Sequence, residues 1–284
     1  MKDFEEYFIR NIPTIKSFHP YYNEALSYII KNSGKHFRPK LMLSIVKEYE
    51  PLLLESSYKV AMALELFHTY SLIHDDLPAM DNASLRRGKA TLHTIYNDAI
   101  AILIGDGLNT YAFELISTSA FRDDVKVELI KILSTNGGLS GMVLGQAIDL
   151  EFEKKPLSLS EVEIMHLNKT AKLIAASLLM GAVIVDLDKD TKDKLYQFGL
   201  DLGLLFQVQD DIIDATLSES EAGKPTGLDG DKNSFVNILG LNGAIEYANS
   251  LAKKIEDEFS NLDLKLQNAL KEILEKYLYR HERK

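Results

Sequence analysis

The chain has 284 residues, 46% of them hydrophobic and 26% charged, with a formal net charge of −10 and no cysteine. That length can bury a large core, and the composition is that of a globular protein rather than a disordered one. The acidic balance argues against nonspecific nucleic-acid binding, and the lack of cysteine excludes disulfides, thiolate zinc sites and cysteine nucleophiles.

At the start, Met1-Lys2-Asp3-Phe4-Glu5-Glu6 lacks the cationic lead and apolar run of a secretory signal. Next, Gly34-Lys35-His36-Phe37-Arg38-Pro39 sets Lys35 and Arg38 just before a helix that Pro39 can begin, a natural anion site. Residues Ser57 to Leu72 carry apolar side chains at three- and four-residue spacing, which predicts a helix. It runs into His74-Asp75-Asp76-Leu77-Pro78-Ala79-Met80-Asp81, with His68 two turns before Asp75 on a similar face. Asp75 and Asp81 would stand about 240° apart on a regular helix of about 3.6 residues per turn. Pro78 disfavours helix at Leu77, so the chain is expected to break there and bring Asp81 back beside Asp75. Arg86 and Arg87 follow as local cations.

Ser160 to Val185 is a second helical run, opened by a candidate capping box at Ser160 and Glu163. Lys169 sits among apolar neighbours there, either snorkelling to the surface or reaching into a site. The longest apolar stretch, Leu173 to Val185, has 13 residues, fewer than the ~20 that span a bilayer, so no membrane span is expected. A third run, Thr191 to Ile213, ends in Gln209-Asp210-Asp211-Ile212-Ile213-Asp214, where Asp210 and Asp214 share one helix face. Gln207 extends that polar stripe, and Lys224 and Lys232 come after it. Gly243 to Phe259 is a further helix, and the sequence ends in the basic tail Arg280-His281-Glu282-Arg283-Lys284. Alternating strand patterns and Gly-, Ser- or Pro-rich linkers are lacking. The expectation is an all-α, single-domain cytoplasmic protein of about ten helices spanning residues 1–284.

Carboxylates packed as densely as Asp75, Asp76, Asp81 and Asp210, Asp211, Asp214 repel unless a cation lies among them. Hard Mg2+ takes oxygen ligands and is commonly completed by substrate phosphates. Two acidic clusters, each followed by Lys or Arg, therefore point to a diphosphate held through Mg2+. The negative ends of the two helices would add to that attraction.

Together with Leu85-Arg86-Arg87-Gly88-Lys89, Gly145-Gln146-x-x-Asp149 and Lys169-Thr170, these motifs resemble the short-chain trans-prenyl diphosphate synthase (polyprenyl synthetase) family, of the bacterial farnesyl diphosphate synthase type. The resemblance covers almost the whole chain, in the family's order. It implies an isoprenoid-synthase helical bundle around a deep cavity, in a homodimer, using Mg2+ (three ions per site, with Mn2+ as an alternative). By position, Asp75, Asp81 and Asp210 would ligate metal, with Asp76, Asp211 and Asp214 completing the acidic rims. Arg86, Lys169 and Lys224, supported by Lys232, would hold the allylic diphosphate. Lys35, Arg38, His68 and Arg87 would hold isopentenyl diphosphate. Thr170 and Gln207 would line the path of the allylic cation, with Gln146 beside it.

The implied reaction is head-to-tail condensation of isopentenyl diphosphate with dimethylallyl or geranyl diphosphate. Tyr70 and Ser71, five and four residues before Asp75, fall where the family limits chain length. An aromatic there goes with a C15 product, C10 and C20 being the alternatives. The basic tail resembles one that folds over the diphosphate. Ser33 and His36 replace the usual glycine and arginine of the Lys35 motif, and Asn82-Ala83-Ser84 replaces a more acidic run. A class I terpene cyclase would leave Lys35, Arg38, His68 and Arg87 without a role. An inactive partner subunit would not be expected to keep both aspartate motifs.

Overall fold

Each long apolar run becomes a helix in the computed structural model, which describes residues 2–216 and 233–282. Lys224, Lys232, Arg283 and Lys284 lie outside the described residues. Helices α1 (Lys2–Arg10), α2 (Tyr22–Lys31) and α3 (Phe37–Tyr49) lead into α4 (Leu54–Asp75), which carries the first acidic cluster. Then come α5 (Asp98–Ser117), α6 (Asp123–Gly137) and α7 (Met142–Phe152). Helix α8 runs Leu159–Ile184 through a π turn at Leu167–Ala171, and α9 (Lys189–Thr216) carries the second cluster. Two more helices follow, α10 (Phe235–Ser260) and α11 (Leu264–Tyr277).

Two apolar clusters knit these helices together. One joins α1 to α6 and takes in one face of α8, with α4 at its centre; the other joins α3 and α8 to α11. Helix α4 is buried nearly all round because apolar and small residues such as Val60, Ala61, Met62, Ala63 and Leu64 occupy every face. Its C-terminal end, where Asp75 lies, borders the cavity described below. The core therefore aims the acidic cluster rather than merely supporting it.

Four local expectations are corrected. The capping box belongs to Ser158 and Glu161, whose side chains satisfy each other's backbone amides; Ser160 already lies inside the helix. Helix α3 begins at Phe37, so Pro39 occupies its first turn instead of opening it. The run read from Gly243 starts at Phe235 in α10, and Gly240, at φ 71°, bends the helix and interrupts the pattern. A two-stranded ribbon, Leu85–Arg86 against Lys89–Ala90, is also present; it is too short to alternate visibly.

By length and composition alone, two helices could cross a membrane. The apolar window of α8 is 72% buried inside the fold, as a core helix would be; that of α5 is 44% buried, leaving Ile102 and Leu103 exposed.

His166 opens the π turn of α8, is 7% exposed and stacks on Phe235 at 5.4 Å. Neither ring nitrogen has a hydrogen-bond partner, and burial drives its pKa from 6.5 down to about 4. A base with a lowered native pKa is neutral when folded, so it favours folding fully above about 6.5 and progressively less as pH falls towards 4. The amount lost is on the order of 3 kcal/mol. His166→Phe keeps the stacking and should flatten that part of the profile. Melting temperatures of both proteins between pH 4 and 7 check this; parallel profiles would set it aside.

Candidate active site

Helix α4 ends at Asp75, and the chain then curls on itself. Asp76 N–H donates to Leu72 O, Met80 N–H and Asn82 N–H both donate to Leu77 O, and Asp81 N–H donates to Asp75 O at 3.0 Å. The break expected at Pro78 therefore brings Asp81 back beside Asp75. The ribbon that follows turns at Arg87 and Gly88, both at positive φ (54° and 72°), the geometry of a two-residue hairpin. It carries Arg86 over the cluster. Arg86 Nε donates to Asp76 Oδ1 at 2.6 Å, and its Nη2 reaches Asp75 Oδ2 at 3.3 Å. Burial pushes Asp76 up to about 6 against the opposing pull of Arg86.

The other oxygen of Asp75 accepts from Gln146 Nε2 of α7 at 2.5 Å. Further along α7, Asp149 pairs with Lys169 Nζ, also at 2.5 Å. Lys169 stands in the π turn of α8, a feature often found at functional sites. Helix α7 can come this close because of Gly145, where a Cβ would lie 2.1 Å from the Lys169 backbone nitrogen. Burial draws the Lys169 amine down, but Asp75, Asp149 and Asp81 together raise it above its ordinary value. It is a cation at neutral pH, and the choice left open by the sequence falls on the site.

A cavity of about 330 Å3 opens between these elements. Asp75, Gln146, Lys169 and Thr170 line it, together with Arg38 and His68. The rest is apolar, with Tyr70, Leu72, Met142 and Leu150 in the wall and Ser71 beside them. Tyr70 is 7% exposed and meets Phe67 edge to face at 4.8 Å; Phe67 meets Phe113 the same way at 5.8 Å. Burial raises the Tyr70 phenol to about 12.

The cationic side is desolvated. Burial lowers Arg38 to about 10, with Glu65 opposing and Arg87 adding to the fall, and its Nε is buried without a partner. His68 is held well below its usual pKa by burial and by Arg38, Arg87 and Arg86, and is neutral. Lys35 is exposed on the turn before α3 and does not line the cavity.

On α9 the second cluster meets the C-terminal segment. Arg280 donates to Asp210 Oδ1 at 2.6 Å and to Phe206 O at 3.1 Å, and lies over the Phe206 ring at 4.1 Å. Asp211 accepts the Phe235 N–H at 2.7 Å, tying the start of α10 to α9, so its carboxylate serves a helix junction as well as the rim. Asp214 is half-buried on the same helix, and Gln207, also half-buried, is not among the residues lining the cavity. Asp149, named only as the end of the Gly145-Gln146 motif, pairs with Lys169, and Glu65 is a buried carboxylate with no role in the motifs named above. A carboxylate at one helical turn from an expected ligand (Glu65 before His68, Asp149 after Gln146) was the available signal.

Among the described residues, no three acidic or histidine side chains gather as a ready-made metal cage. The donor set still fits Mg2+, which takes one or two carboxylates, keeps waters and shares phosphate oxygens. Asp75 and Asp81, joined through the backbone, supply such a pair of oxygen donors.

A sequence profile of polyprenyl synthetases matches residues 19–274. The chain is 44% identical over 230 residues to a farnesyl diphosphate synthase of Geobacillus stearothermophilus, covering 78% of this chain and 76% of that one. It is 39% identical over 246 residues to a chloroplastic geranylgeranyl pyrophosphate synthase of Capsicum annuum, covering 85% and 66%. A crystal structure of a Helicobacter pylori geranyltransferase, complexed with magnesium and isoprenyl diphosphate, superposes with a TM-score of 0.90 at 47% identity, covering 96% and 93%.

Gly145→Ala should displace the π turn, because its methyl group would meet backbone rather than a movable side chain. Turnover is expected to fall by about 10- to 100-fold with helical content unchanged. Steady-state kinetics and circular dichroism on the same preparation check it.

Proposed function

The chain belongs to the polyprenyl synthetase family, and we propose that it joins isopentenyl diphosphate head-to-tail to dimethylallyl or geranyl diphosphate, releasing pyrophosphate and stopping at farnesyl diphosphate. The observation that carries this reading is more basic groups than one diphosphate needs around a single apolar cavity: Lys169 and Arg38 line it with neutral His68, and Arg86 is held on Asp75 in its wall. Two diphosphate sites make a condensation; a cyclase needs one.

In this reading Lys169 and Arg86 take the allylic diphosphate, with Lys224 and Lys232 in the supporting roles that the resemblance implies. Bound Mg2+, taken as three ions with Asp75, Asp81 and Asp210 as first donors and Asp214 nearby, supplies charge that stabilises the departing pyrophosphate. The allylic C–O bond breaks with its electron pair leaving on the pyrophosphate. Lys169 and Arg86 meet the growing negative charge with fixed positive charge. Asp76 holds Arg86 in place, which is supported by its 2.6 Å hydrogen bond. The carbocation left behind faces the hydroxyl of Thr170 and the amide of Gln146, dipoles that favour it without attacking it. Gln207 stands on α9, outside the described lining, so its part would follow substrate binding.

Arg38, Arg87 and Lys35 hold the second diphosphate, and His68, being neutral, contributes an N–H donor. The isopentenyl double bond attacks the allylic cation, a carbon–carbon bond forms, and a proton is lost to the released pyrophosphate. The apolar wall excludes the water that would quench the cation. Tyr70, braced by Phe67, is the floor that stops the chain at C15. Ser71 lies in the same wall without the bulk to do so.

A homodimer belongs to the same reading, with a second copy covering the apolar outer face of α5 around Ile102 and Leu103. A cytoplasmic location is its natural setting. Light scattering on the purified protein reads the oligomeric state, and a monomer mass would set the dimer aside.

Purified protein given labelled isopentenyl diphosphate and geranyl diphosphate should yield a C15 product on chromatography. Tyr70→Ala should shift the product to C20 or longer; an unchanged length would remove Tyr70 from this role. Asp75→Ala should lower kcat/KM by at least about 100-fold, and undiminished turnover would sink the catalytic reading.

A further inference from the structure

Glu65 lies on α4, three residues before His68, and is 3% exposed. A carboxylate buried so deeply stays charged only with positive charge nearby. His36 Nδ1 approaches Glu65 Oε1 at 3.3 Å without hydrogen-bond alignment. The His36 ring is fixed instead by packing. It sits at a left-handed position (φ 51°) before α3 and lies against Phe8 at 4.8 Å and Phe4 at 5.7 Å.

The charge of Glu65 is felt elsewhere. It is the leading favourable partner of both Arg38 and Arg87, yet among the described residues it makes no ion pair with either within 4.0 Å. Arg87 is brought into this group by Gly34, where a Cβ would meet its guanidinium at 2.4 to 2.5 Å. The two guanidiniums thus share one buried counter-charge that acts on both without an ion pair to either. Such a counter-charge favours holding two guanidiniums in one group without an ion pair occupying their N–H donors. Arg38 Nε, buried and unpartnered, shows a donor left uncommitted.

We propose that Glu65, braced by His36, is a positioning residue for isopentenyl diphosphate: it holds Arg38 and Arg87 as a charged pair whose free donors receive the diphosphate. His36 suits this role better than arginine would. An arginine at this place could form a bidentate pair with Glu65 and take up the charge that Arg38 and Arg87 need. The inference also ties α1 to the site, because Phe4 and Phe8 fix His36. It rests on the condensation reading above.

The test is a split between two Michaelis constants. Glu65→Gln should raise KM for isopentenyl diphosphate by about 10- to 100-fold while KM for geranyl diphosphate stays within about twofold and kcat at saturation is largely kept. Glu65→Asp keeps the charge one methylene further back and should recover most of the loss but not all, leaving a selective rise of a few-fold in KM for isopentenyl diphosphate. KM rising equally for both substrates, or Glu65→Asp as impaired as Glu65→Gln, would overturn the proposal. If Glu65→Gln does not fold, Glu65→Asp decides alone: an isopentenyl KM at the wild-type value overturns it, and a selective rise of a few-fold supports it. A wild-type protein that makes no prenyl product would remove the condensation reading and this inference together; a productive wild type without the split removes only the inference.

Discussion

Like charges crowded at one end of a helical bundle must be balanced before any substrate arrives, and most of the site follows from how that is done. Asp75 is shared between Arg86 and Gln146, Asp76 is held by Arg86, Asp149 by Lys169 and Asp210 by Arg280. Each pairing satisfies an acid that would otherwise repel its neighbours, and those with Arg86, Lys169 and Arg280 hold a cation among the carboxylates. Metal and diphosphate arriving together exchange one set of opposite charges for another. The resting network therefore resembles the liganded one in charge, which limits how far the side chains must reorganise during reaction.

The positions of those charges are set by backbone geometry more than by flexible side chains. The turn after Asp75 fixes Asp81 through a main-chain hydrogen bond, and the ribbon at Arg87-Gly88 delivers Arg86 from a rigid hairpin. The π turn in α8 rotates Lys169 and Thr170 to the cavity, and Gly145 admits it against α7. Neither C-terminal segment nor second cluster is independent of this frame. Arg280 lies on Phe206 and Asp210, while Asp211 is spent partly on the first amide of α10.

The helices were legible because their apolar spacing is long and regular, and the acidic clusters because carboxylates so close together need an explanation. The bend at Pro78 could be deduced, since proline acts on the residue next to it. What escaped the sequence depends on partners distant along the chain. Nothing near Lys169 announces a π turn, which reflects contact with Gly145 some twenty residues earlier. The ribbon at Leu85–Ala90 has two residues per strand, too few for a period-two pattern to register. Asp76 and Asp211 look like their neighbouring aspartates in sequence, and only their partners, Arg86 and the Phe235 amide, separate them from the outward-facing acids. Gln207 continues the stripe of Asp210 correctly, yet a helical stripe says nothing about which part of it borders a cavity.

A floor made of one side chain is only as firm as what lies under it. Tyr70 does not stand alone: its ring meets the edge of Phe67, and Phe67 in turn meets Phe113 of α5, three aromatics in successive near-perpendicular contact. Perpendicular aromatic pairs resist sliding better than aliphatic neighbours, because the edge of each ring is seated on the face of the next. If Tyr70 is the floor proposed above, a growing hydrocarbon pressing on it would push against α5 as well as α4. Helix α5 is also the one with an uncovered apolar outer face. In the proposed reading, the last member of the aromatic stack and the surface that would pair two chains therefore belong to the same helix.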